Sequence, residues 1–116
     1  MLDALSSAIQ GLKAVSTRTH IASHNLANLN TDNFKRKIPF QVDNPAGVSV
    51  EVHEDPSPGF PLDAIPESNL PAREMSNVSM ERELVELMRS KHSLIANIKA
   101  IETALDNEGT ILDIKA

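Results

Sequence analysis

The sequence predicts a mainly α protein: two long amphipathic helices, one at each end, packed as a coiled-coil-like pair, with a short β-hairpin and an irregular proline-rich segment between them. Three observations predict it. All seven prolines lie between Pro39 and Pro71. Proline removes an amide donor and blocks helix interiors, so the middle is strands, turns and loops while both flanks are free to be helical. Apolar residues in both flanks recur in alternating steps of three and four, the spacing of a helical seam. Only three aromatics occur, Phe34, Phe40 and Phe60, without Trp or Tyr, so the core is aliphatic.

The first helix is expected from about Asp3 to Asn28, with Asp3 as its cap. Its seam runs through Leu5, Ala8, Leu12, Val15, Ala22, Leu26 and Leu29, with Thr19 as the polar member of the row. Ile9 and Ile21 widen the stripe, and the remaining surface is mostly Ser, Thr, Gln and His. A face so poor in charge suits packing against more protein better than bulk water. Asn28, Asn30 and Asn33 tolerate left-handed backbone and stop the helix. Apolar–polar alternation then predicts strands at Ile38–Val42 and Val48–His53, joined by a turn at Asn44-Pro45-Ala46-Gly47. From Asp55 to Arg73 the prolines and Gly59 predict an irregular or polyproline-like run.

The last helix starts after Ser79, read as its N-cap. Glu81, Glu83 and Glu86 lie where the helix dipole favours negative charge. Its seam is Leu84, Leu87, Leu94, Ile98, Ile101, Leu105 and Leu112, with Lys91 at one position and Met88 and Ile95 broadening the face. Gly109 is expected to end it near Ile111, because glycine costs about 1 kcal/mol relative to alanine in a helix. The chain thus divides into a helix over 1–30, an extended and proline-rich insert over 31–75, and a helix over 76–116, all in one domain.

Composition excludes several function classes. The net charge is −5 and the isoelectric point about 5.3, so no basic stripe exists to displace counterions from nucleic acid. Anionic membrane surfaces are disfavoured for the same reason, and no stretch approaches the roughly 18 apolar residues of a membrane span. With no cysteine, disulfides and thiolate metal sites are ruled out. Met1-Leu2-Asp3 lacks the charged and apolar regions of a secretory signal, so any export is expected to need no cleaved leader.

The side chains that carry chemistry are scattered. His20 and His24 are spaced to share a helix face, but no third metal ligand accompanies them, and such a pair is more often plain helix surface. His53 and His92 stand alone. Glu54-Asp55 and the acidic start of the second helix read as solvated charge and dipole complement rather than paired catalytic carboxylates. Lys35-Arg36-Lys37, the one basic cluster, reads as a solvated turn. No phosphate-cradling glycine loop is present. No catalytic residue, cofactor or metal site is expected, and the chain is read as non-enzymatic.

The stretch Ile21-Ala22-Ser23-His24-Asn25-Leu26-Ala27-Asn28-Leu29-Asn30-Thr31, followed by Phe34 and Lys35, resembles the N-terminal signature of bacterial flagellar rod and hook proteins. In that family a helix ends in an Asn-Leu-Ala-Asn element before a Thr, an aromatic and a basic residue. Asn77-Val78-Ser79, then Glu83, Leu84, Val85, Met88, Asn97 and Ile101, is similar to the family's C-terminal element. Hook and distal-rod members carry much larger middle domains, and the short middle here looks most like the basal-body rod protein C branch of the proximal rod.

The resemblance implies a structural subunit that polymerises through its terminal helices. It would reach the periplasmic rod by the flagellar type III route and meet copies of itself and other axial proteins. The residues expected at the assembly interface are Leu5, Leu12, Val15, Ala22, Asn25, Leu26 and Asn28 of the first helix. On the second they are Leu84, Leu87, Met88, Leu94, Ile98, Ile101 and Leu105. Asn25 and Asn28 are expected to end the first helix and to fix register by hydrogen bonds across helices. The same seams also suit a soluble helical adaptor or chaperone-like module that holds one partner at fixed stoichiometry.

Overall fold

The computed structural model describes residues 2–44, 47–62 and 72–115. Helix α1 spans Leu2–Ala27, strands β1 and β2 span Lys37–Asn44 and Gly47–Glu54, and helix α2 spans Met80–Lys115. The strands form one antiparallel hairpin, registered from Lys37 opposite Glu54 to Asn44 opposite Gly47. Both strands run a residue or two beyond the expected limits. Of the expected turn, Pro45 and Ala46 lie outside the described residues. Gly47 adopts φ +126°, a conformation open to glycine alone among common residues. A Cβ built there would stand 2.1 Å from Gln10 Oε1, so the tip of the hairpin is seated against α1. On the outer face Phe40 meets His53 edge-on, with ring centroids 4.8 Å apart.

Helix α1 lies between the hairpin and α2, and neither strand packs against α2. The helices run antiparallel. Asn25 bonds Glu83, Arg18 pairs with Glu86, and Gly11 faces Asn97, whose Oδ1 would stand 2.6 Å from an added Cβ. On α1 this seam follows Ala8, Val15 and Ala22, all buried, as the apolar periodicity predicts.

On α2 the expected seam is shifted. The row that meets α1 holds Glu83, Leu87, Ser90, Asn97 and Ile101, whereas Leu84, Met88, Leu94, Ile98 and Leu105 remain exposed. The physical reason is the residues on α1. Asn25 and Gly11 meet Glu83 and Asn97, which have the same separation, and Arg18 between them pairs with Glu86. Hydrogen bonding and close approach therefore set the phase of α2, not its largest apolar residues.

Two further differences concern α2. It runs through Gly109 to Lys115 rather than ending near Ile111. Nothing lies within 4 Å of a Cβ built on Gly109, and one glycine in open solvent costs only about 1 kcal/mol, too little to stop a long helix. At the other end, Ser79 does not accept from a first-turn amide. Its hydroxyl donates to Glu81, while its carbonyl receives the Glu83 amide. Ser79 thereby holds the Glu81 carboxyl below the usual range, a charge the helix dipole also favours there.

Of the expected proline-rich run, residues 55–62 and 72–73 carry no helix or strand beyond an isolated bridge between Pro61 and Glu74, and residues 63–71 lie outside those described. The buried apolar residues described are Ala8, Ala14, Val15, Ile21, Ala22 and Val78. A core of such small side chains contributes modestly, at roughly 25 cal/mol per Å² of apolar surface removed from water. On α2 Leu84, Val85, Met88, Ile95, Ile98 and Leu105 remain exposed.

Candidate functional site

The end of α1, the base of the hairpin and the start of α2 converge on a buried polar junction. At its centre is Asn25, fully buried. Its amide pairs with one backbone residue as a strand would: Oδ1 accepts from Lys37 N at 2.8 Å, and Nδ2 donates to Lys37 O at 2.7 Å. Nδ2 also donates to Glu83 Oε2 at 3.1 Å. Glu83, 1% exposed, receives Arg36 Nε on its other oxygen at 2.5 Å. A carboxylate removed from water is stable only with such charged and hydrogen-bonded partners.

Asn77 ties in the third segment. Its Oδ1 accepts from Arg36 N at 2.6 Å, and its Nδ2 donates to Asp55 O and Ser57 O. Asn33 repeats the two-point pairing of Asn25 at the surface. Its N donates to Glu74 O, and its Oδ1 accepts from Glu74 N. Its φ of +58° is one that asparagine tolerates. Glu74 is held below the usual glutamate range, first by the hydrogen bond from Lys35 and further by the Gly59 amide. Asp55 is lowered likewise by the hydroxyl and amide of Ser57.

Asn28 plays a different part. Its Nδ2 donates to His24 O at 2.9 Å, and its Oδ1 accepts from Thr31, so it closes α1 locally. Asn25 does not end the helix, which runs on to Ala27. The two asparagines of one short element thus divide between an end-cap and a cross-tie.

Sequence reasoning missed Glu83, Arg36 and Asn77 as members of this junction. Glu83 reads as dipole complement and Arg36 as part of a solvated basic turn, yet both are withdrawn from water and paired. The available signal was spacing: Glu83 and Asn97 repeat the separation of Gly11 and Asn25 on the first helix.

The remaining expected interface residues fall into two groups. Val15 and Ala22 are buried against α2, with Leu5, Leu12, Leu26, Leu87 and Ile101 half-buried. The exposed group begins at Leu84 and Met88 and continues along α2 through Ile95 and Ile98 to Leu105. It forms a second apolar row one residue on from the row that meets α1, turned by about 100°. Met88 is 62% exposed and Ile98 43%. Lys91 and Glu102 interrupt the row, whose apolar members all lie on the open face of α2. His20 is exposed, while His24 is half-buried and meets Phe34 edge-on at 5.6 Å. Among the described residues no cluster of His, Cys, Asp or Glu has the makings of a metal site.

Comparison with known families gives a match at each end of the chain. The model described as flagella basal body rod protein matches residues 5–35. That described as flagellar basal body rod FlgEFG protein C-terminal matches residues 72–114. A search of curated proteins finds no match. The two matched segments are those that the junction ties together, and the chain belongs to the flagellar basal-body rod family. Members of this family are structural parts of the flagellar basal body and meet other rod proteins there. Among the described residues no helix is long and apolar enough to cross a membrane.

Proposed function

We propose that this chain is a structural subunit of the proximal rod, that residues 1–116 act as one rod-protein domain, and that it polymerises through its two helices with copies of itself and with neighbouring axial proteins. The observation that carries this reading is the open apolar row Leu84, Met88, Ile95, Ile98 and Leu105 on α2, left outside because a polar seam takes up the face toward α1. Helix packing of a coiled-coil type against neighbours would cover it, and the half-buried Leu5, Leu12 and Leu26 of α1 would extend the covered surface. The small interior leaves such burial as a large share of the stability of the assembled state.

The test is sedimentation of the full chain across a concentration series, alongside Ile98→Asp and Leu84→Asp. Open-ended growth in the wild type, abolished in both variants while their helical content is unchanged, is the expected result. Saturation at a fixed small stoichiometry with one other protein would instead favour an adaptor. Unchanged growth in both variants would remove α2 from the interface.

A further inference from the structure

Beside the junction, a cleft of about 230 Å³ opens between the helices, lined by Val15, Arg18, Arg89, Ser90 and Ser93. Ser90 is 4% exposed and its hydroxyl has no hydrogen-bond partner among the described residues, although buried polar atoms are nearly always paired. Arg18 spends its Nε on Glu86 at 2.7 Å and keeps its remaining guanidinium donors. Arg89 is exposed, and no ion pair engages it among the described residues. A second groove of about 360 Å³ adjoins, lined by Arg36, Glu81, Arg82, Val85, Glu86 and Arg89. Its two carboxylates are taken, Glu86 by Arg18 and Glu81 by Ser79, whereas Arg82 carries no ion pair among the described residues. Guanidiniums and hydroxyls over an apolar floor present donors to one acceptor, and a carboxylate matches a guanidinium fork in shape and charge.

The complement lies at the far end of the same helix. Between positions 102 and 113, α2 carries Glu102, Asp106, Glu108 and Asp113 and no basic residue. Glu102 meets Lys99 at 3.7 Å on the open surface, while Asp106, Glu108 and Asp113 have no ion pair among the described residues. Glu102, Asp106 and Asp113 fall within about 40° of one another on the helix. The facing positions Asn25 with Glu83 and Gly11 with Asn97 each sum to 108, which sets position 2 opposite Asp106. The last turns of α2, with exposed Ile111 and Ile114, therefore project about 13 Å past the first described turn of α1. Asp106 lies about 24 Å along the helix from Ser90, so a straight helix cannot bring this stretch to its own cleft.

We propose that the Arg18–Arg89–Ser90–Ser93 cleft is a carboxylate socket that receives the acidic stretch Glu102–Asp113 of a second copy of this chain. Arg89 forks the incoming carboxylate, Ser90 and Ser93 donate to it, and Ile111 of the incoming helix lies toward Val85 and Met88. Socket and acidic stretch are different surfaces, so the contact is heterologous, and with a rotation that does not close into a ring it propagates as a directional filament. The proposal rests on the polymerisation reading above and gives that polymer its polarity.

Because the chain has no cysteine, a full-length Ser93→Cys/Asp106→Cys double variant tests it with no background. The two positions are about 20 Å apart on one helix, so any disulfide between them joins two copies. The expected result is a ladder of linked multimers after mild oxidation, absent from each single variant beyond a dimer and suppressed by Arg89→Glu. In sedimentation, Arg89→Glu and Asp106→Arg should each weaken association by roughly fivefold to tenfold at low salt, with recovery when the two variants are mixed. If the wild type grows open-ended polymers but no ladder forms and the charge reversals change nothing, the socket is wrong and the polymerisation reading stands. If the wild type stays monomeric at every concentration and no ladder forms, both fall.

Discussion

Replacing Asn25 by alanine removes three hydrogen bonds at once from a side chain with no exposed surface. Lys37 N and O lose their amide partner, and Glu83 keeps Arg36 but loses the donor to its second oxygen. Each neutral bond contributes about 1 kcal/mol, and a donor to a buried carboxylate about 1.5–3, so a loss of roughly 3–5 kcal/mol is expected. For a domain of this size that lowers the melting temperature by about 15 °C. Asn28→Ala removes only a local bond to His24 O and one to Thr31 at the surface, a loss of about 0.5–1 kcal/mol. Asn25→Asp should be at least as severe as alanine, because it replaces the donor facing Glu83 by a second carboxylate. Urea denaturation followed by circular dichroism on the four proteins supplies the comparison. If Asn25→Ala and Asn28→Ala lose the same stability within about 0.5 kcal/mol, the cross-tie does not hold the junction and the reasoning is refuted.

Other consequences follow from the same geometry. Arg36→Met leaves Glu83 buried without its ion-pair partner and should cost about 3–5 kcal/mol, whereas the surface variant Lys99→Met should change stability by less than about 0.5 kcal/mol in the same denaturation. Glu74 is lowered in the folded chain by Lys35. Its contribution is therefore fully present above the unfolded carboxyl value near pH 4.3 and is lost as pH falls through the lower folded value. Lys35→Met should flatten that acid limb in a pH series of melting curves, and an unaltered limb would assign it to other carboxylates. A Cβ on Gly59 would stand 1.8 Å from the Met75 carbonyl oxygen. Gly59→Ala should accordingly open the bridge at Pro61 and Glu74 and speed hydrogen exchange at the Leu62 and Met75 amides. Gly11→Ala meets only the Asn97 side chain, and its gain in helix propensity of about 1 kcal/mol should leave stability nearly unchanged.

How much of this was legible in the sequence can be argued residue by residue. The two helices and the hairpin follow from proline placement and hydrophobic periodicity, because those signals are local and strong. The phase of α2 was not legible. Periodicity finds the largest apolar row and assigns it inward, but the interior of this fold is chosen by Asn25, Arg18 and Gly11, whose partners are polar. Glu83 illustrates the limit: three acidic residues open the same helix, and only the one that faces Asn25 and Arg36 is buried. A residue's own neighbours in sequence do not reveal which of them that is. The run past Gly109 was missed because a single glycine's cost was weighed against no knowledge of the turns on either side. Leu112, expected to close the seam, has its side chain outside the described residues.

In the proposed function, the displaced apolar row is what links structure to assembly. Had Leu84, Ile98 and Leu105 packed on α1, the pair would be complete by itself, with little left for a neighbour. The polar seam holds the subunit together through hydrogen bonds and leaves the aliphatic surface open, which is what the proposed assembly requires.

The most direct test of that account is electron microscopy of basal bodies from a strain lacking this gene, complemented with either the intact gene or Ile98→Asp. Rods restored by the intact gene and missing with Ile98→Asp, at equal protein levels, are the predicted result. Normal rods with Ile98→Asp would contradict assembly through the open face of α2, and normal rods in the uncomplemented strain would contradict the rod role itself.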